Sequence, residues 1–151
     1  MKRMLMLLVM CLGVVFGSDP ATTLAEYGID VKNAKRAITD CYLANKSVLR
    51  PAFELGLELE AAKAAKAGRR FTISPESIMT LEETYDIMSE MCMDTDEGLR
   101  FGIQIYSLLG DVDESNPDLK SVSLALDLAK FIQNEFYNTS ILFNGEFKLR
   151  R

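Results

Sequence analysis

Histidine is absent from all 151 residues, and that absence removes more chemistry than any motif adds. Without imidazole, no serine or cysteine of this chain has its common base, and histidine-bearing zinc or di-iron centres are excluded. Cysteine is scarce, with Cys11, Cys41 and Cys92 as its only copies. Basic residues are outnumbered, 17 Lys and Arg against 22 Asp and Glu, for a net charge of −5. A field of that sign repels nucleic acid and anionic membrane surfaces, so neither is an expected partner. Internal repeats, low-complexity tracts and inter-domain linkers are also missing, and the length suits one domain.

The longest apolar run is short as well. Lys2 and Arg3 precede Met4 through Phe16, which is apolar apart from Gly13, and Gly17, Ser18, Asp19 and Pro20 end it. About 13 residues fall below the roughly 20 that span a bilayer. Val15 and Gly17 occupy the small-residue positions before a cut at Ser18, which is the layout of a secretory signal peptide. The run has no polar face at helical period, so it does not read as a core helix. Cys11 does not mark a lipid attachment, because Met10 stands where a small residue is needed. The expectation is a signal peptide over 1–17 and one helical domain over 18–151, secreted, periplasmic or in the secretory-pathway lumen, with no membrane contact after cleavage.

The leader holds two of the basic residues and none of the acidic ones, so its loss moves the net charge from −5 to −7. It also leaves an even pair of cysteines. In an oxidising compartment Cys41 and Cys92 are expected to form a disulfide. Closing a loop of about 50 residues stabilises the fold by about 4 kcal/mol through lost chain entropy.

Helical punctuation recurs along the mature chain. Asp30 can cap a first helix whose buried face is Val31, Ala34, Ile38, Cys41 and Val48. Pro51 interrupts that helix or opens the next, PAFELGLELEAAKAAKAG, which stops at Gly68. Ser74 and Pro75 signal a third helix with Ile78, Leu81, Tyr85, Met88 and Cys92 on one face. Asp94 and Glu97 have capping-box spacing and open a fourth segment through Leu99, Ile103, Tyr106 and Leu109. There the alternation Phe101, Ile103, Ile105 also permits a strand. Asn116 and Pro117 open a fifth helix with two apolar rows, one through Val122, Leu126, Ala129 and Gln133, the other through Leu124, Leu128 and Phe131. Two rows place it at the centre. Asn144-Gly145 permits a short β-hairpin over 141–149. The fold class is therefore all-α, a compact bundle of four to five helices with one disulfide and room for a C-terminal hairpin.

Few side chains suggest chemistry. Glu82, Asp86 and Glu90, with Glu83 beside them, form an acidic stripe on the third helix, read as a solvated face opposite Lys63, Lys66, Arg69 and Arg70. The acidic loops after Asp94 and Asp111 begin like calcium loops but lack the turn glycine and the bidentate Glu, so they read as helix caps. Met88, Met91 and Met93 suit adaptable core filling or a surface that repacks around a partner. Asn45 and Asn138 head glycosylation sequons. No cofactor, metal or catalytic residue is expected.

The leading functional reading is an exported interaction protein of inhibitor, immunity or scaffold type. It would bind another protein, one with a basic face suited to this acidic surface. Phe53, Tyr85, Met88, Met91, Phe143 and Phe147 are the candidate partner or ligand surface, the last two on the hairpin edge. A carrier of an apolar ligand between helices is the alternative, and an enzyme using carboxylates alone ranks last. Protein recovered from its native compartment is expected to begin at Ser18, and Cys41 and Cys92 should resist alkylation unless reduced. N-terminal sequencing and thiol labelling check both points.

Overall fold

The computed structural model describes residues 19–149 except 111 and 114, so the expected signal peptide lies outside the described residues. The first short helix, α1 (Pro20–Glu26), opens on a proline and buries Leu24. At Asp30 the carboxylate accepts a bond from the Asn33 amide at 3.1 Å, and α2 (Val31–Lys66) begins there as the sequence predicts. Two helical stretches do meet within α2, but at a kink six residues before Pro51, and the chain stays helical through Pro51 itself. Its irregular residue is Asn45 (φ −120, ψ 15), whose side chain donates to the Cys41 carbonyl at 2.9 Å. The carbonyl that Pro51 leaves without an intrahelical donor belongs to exposed Ser47, where water can serve it.

The buried face of α2 also differs from expectation. Ala34, Ile38 and Cys41 are buried, but the burial then follows the row Tyr42, Leu49, Phe53 and Leu57. Val48 is left 55% exposed on the outside. Past Gly68, whose amide bonds the Ala65 carbonyl at 3.1 Å, the chain reaches a 3-10 turn, Pro75–Ser77. Ser74 caps only that turn. Helix α3 (Leu81–Met91) starts later, with Thr80 and Glu83 forming the reciprocal capping box.

Residues 96–109 are helical, which settles the helix-or-strand alternative. In α4 (Asp96–Leu109) the cap is Thr95 rather than Asp94, accepting from the Gly98 amide at 3.0 Å. The face that α4 buries carries Phe101, Ile105 and Leu109, while Leu99, Ile103 and Tyr106 point to solvent. Helix α5 (Leu119–Asn144) is capped by Asp118, not by Asn116. Both of its predicted rows are buried, and it packs against α1, α2, α3 and the 3-10 turn. It is the central helix.

Polar ties fix neighbours onto α5. The Tyr85 hydroxyl donates to the Ala125 carbonyl at 2.9 Å, and Gln133 Nε2 donates to the Met79 carbonyl at 3.1 Å. Burial raises the Tyr85 pKa well above the usual phenol range, so it stays a donor.

No strand forms among the described residues, and the hairpin that 141–149 permitted is replaced by a helix end. Asn144-Gly145 suits a type I′ turn, but glycine with positive φ equally suits a helix stop. Here Gly145 has φ +83, and its amide bonds the Ile141 carbonyl at 2.8 Å. The tail then folds back. Phe147 stacks on Tyr137 at 5.4 Å and lies under the Arg50 guanidinium at 3.8 Å. Arg50 also donates to Ser140 Oγ at 2.7 Å and to the Glu146 carbonyl at 3.3 Å, while the Tyr42 hydroxyl donates to the Asn144 side-chain oxygen.

One core position works against stability. Asp127 is 2% exposed, and burial raises its carboxyl pKa above 3.8, with Lys130 partly offsetting the shift. The folded protein therefore binds this proton more tightly than the unfolded chain. Ionised Asp127 destabilises at neutral pH, and the cost vanishes as pH falls through the raised value. Asp127→Asn should melt above the parent at pH 7, and the gap should close on acidification to the ordinary carboxylate value. Melting curves across that range provide the check.

Candidate functional site

The segment 78–92, which contains α3, is tied to α2 at two places. At one end Cys92 is bonded to Cys41, with the Cα atoms 5.0 Å apart. At the other, Gly56 lies so close to the Ile78 carbonyl that an added Cβ would fall 2.5 Å from its oxygen. The segments 41–56 and 78–92 therefore run antiparallel. Around the Gly56 contact lies a groove of about 290 Å³.

One wall comes from α2, with Ala52, Leu55, Gly56 and Leu59. Those positions step by three and four, so they share a helix face. Leu55 is 56% exposed and Leu59 55% exposed. The other wall comes from α3, with Glu83, Asp86, Ile87, Glu90 and Met91, again at steps of three and four. Buried Phe53, Ile78 and Met79 form the floor. The groove is thus apolar at its base and acidic along one rim, and no Lys or Arg is among its lining residues. Glu83 is held at the rim by accepting the Thr80 amide at 2.8 Å.

The candidate surface residues separate on folding. Phe53 and Met91 meet in this groove, Phe53 as floor and Met91 as wall. Tyr85 and Met88 are buried instead and face a smaller cleft of about 120 Å³ beside Met93 and Gly102. Phe147 is buried under Arg50, and Phe143 is 49% exposed on the last turn of α5. As a set, these six do not form one surface. Leu55, Leu59 and Ile87 were not among the candidates, although the outward spacing of Ala52, Leu55 and Leu59 could have flagged them.

Part of the acidic stripe became the groove's rim. Asp86 and Glu90 line it, whereas Lys63 of the basic row pairs with Glu60 on its own helix at 2.8 Å. After α4, Asp113 accepts from the Ser115 amide and hydroxyl. Among the described residues, no three His, Cys, Asp or Glu side chains converge to hold a metal ion. Asn138 is exposed, while Asn45 turns its amide inward to the Cys41 carbonyl. No described helix is long and apolar enough to cross a membrane.

No family model matches the chain, and no curated protein or solved structure shows significant similarity to it.

The geometry of the groove depends on Gly56. Alanine is the better helix former by roughly 1 kcal/mol. Here its methyl would press on a backbone carbonyl, which cannot rotate away as a side chain can. Gly56→Ala is expected to destabilise by about 1–3 kcal/mol, the usual cost of overpacking, read by urea denaturation.

Proposed function

We propose that this chain is an exported helical protein that works by binding another protein through the α2–α3 groove. The observation that carries the reading is the pair of half-exposed leucines, Leu55 and Leu59, set over an apolar floor and beside a charged rim. Exposed apolar surface rimmed by polar groups is where proteins recognise partners. A disulfide between α2 and α3 would keep such a surface in shape outside the reducing cytosol, in line with the leader expected over 1–17. Preorganised walls also lower the ordering cost of association.

The test is photo-crosslinking from position 59 in the native compartment, alongside capture by the purified, oxidised protein. The Leu55→Asp and Leu59→Asp variants should keep the parent fold, since both side chains already face water. Each should lose at least tenfold in partner affinity. Retention of the same partner by both variants would exclude the groove as the binding surface.

A further inference from the structure

We infer that the occupant of this groove is an amphipathic α-helix, with Lys or Arg bordering its apolar face. The inference rests on the groove being the docking surface and adds the shape and charge of what docks. Both walls are helix faces, with Ala52, Leu55 and Leu59 on one and Asp86, Ile87 and Glu90 on the other. Rows at steps of three and four present ridges and grooves that a third helix can interleave with, at axial separations of roughly 8–10 Å. A strand has no such match: neither wall offers an open backbone edge to extend, because helical amides and carbonyls are bonded within their own helices. The lining runs from Ala52 to Leu59 on α2 and from Glu83 to Met91 on α3, roughly 10–12 Å of each wall, so it covers about two turns of an occupant.

Charge sets the second half of the inference. Glu83, Asp86 and Glu90 fall on one rim, and no cation lines the groove to offset them. An acyl chain would match the floor, but its anionic head group would meet those carboxylates with repulsion. A helix with apolar residues at its centre and cations along its edge satisfies both features. The apolar contact supplies most of the affinity, and the rim supplies orientation and salt dependence.

The probe is a synthetic 16-residue helix (about 24 Å long) with a leucine face flanked by lysines, titrated against the full, oxidised protein by fluorescence anisotropy. Two controls accompany it: the same leucine face flanked by glutamates, and a scramble of the lysine peptide with no apolar face. The lysine-flanked helix is expected to bind at least tenfold more tightly than either control. Leu55→Asp should weaken it tenfold or more. The pair Asp86→Asn with Glu90→Gln, which leaves the Glu83 cap intact, should weaken it severalfold and flatten its salt dependence. Neutralising Glu26, Asp94 and Asp96, none of which lines the groove, should change nothing.

Equal binding of the glutamate-flanked helix would overturn the charge argument, and equal binding of the scramble would overturn the helix-face argument. A dimer that Leu55→Asp disperses would also overturn the inference, since a second copy would then hold the groove. The two readings fail separately. If the leucine variants lose the native partner but no helix probe binds, the occupant is wrong and the docking surface stands. If the probe binds at the groove but the native partner ignores the leucine variants, the functional reading fails.

Discussion

The Cys41–Cys92 disulfide and the contact of the Ile78 carbonyl with Gly56 hold the segment that contains α3 beside α2. Cys41–Cys92 fixes one separation covalently, and the Ile78 carbonyl against Gly56 fixes the other by steric contact. Leu55, beside that glycine, and Leu59, three residues beyond it, stay more than half exposed. Full burial of a leucine contributes about 1.5–3 kcal/mol, and each of these is already nearly half covered, so the open groove leaves about half of that unused at each.

The bundle sustains that loss because its core is organised elsewhere. Helix α5 is buried on most of its circumference and takes contacts from α1, α2, α3 and the 3-10 turn. Buried aromatic pairs, Phe53 with Phe136 and Phe101 with Phe131, join it to α2 and α4. Hydrogen bonds from Tyr85 and Gln133 set the height of neighbouring segments along it. The tail is fastened by Arg50, whose guanidinium sits on Phe147 while bonding Ser140 and the Glu146 carbonyl. A cation over an aromatic ring, with its donors satisfied by main-chain and hydroxyl oxygens, ties down a terminus that would otherwise fray.

Much of the fold was legible in the sequence. The helical class, the cap at Asp30, the stop at Gly68 and the central place of α5 follow from local chemistry and period, which need no knowledge of neighbours. The errors share a cause. Ser74, Asp94 and Asn116 were plausible caps one to six residues too early, because several acceptors compete near each helix start and only the packed geometry selects one. On α4, two apolar faces were available, and contact with α2 buried Phe101 and Ile105 in preference to Leu99 and Ile103. At the C-terminus, Asn144-Gly145 fits two turn types, and continuation of the helix decided between them.

The pairing of Cys41 with Cys92 was also readable, since these are the two cysteines that lie beyond the expected leader. The groove was not. Leu55, Leu59, Asp86 and Glu90 are unremarkable as letters, a few apolar and acidic residues on two strong helix formers. Composition and period by themselves determined that this chain makes a stapled, acidic, all-helical protein without imidazole chemistry. Only the tertiary structure decided which apolar residues remained outside and which carboxylates came to border them. The reason is physical: burial is a property of how faces meet, and a helix carrying more than one apolar face does not encode which of them will be covered.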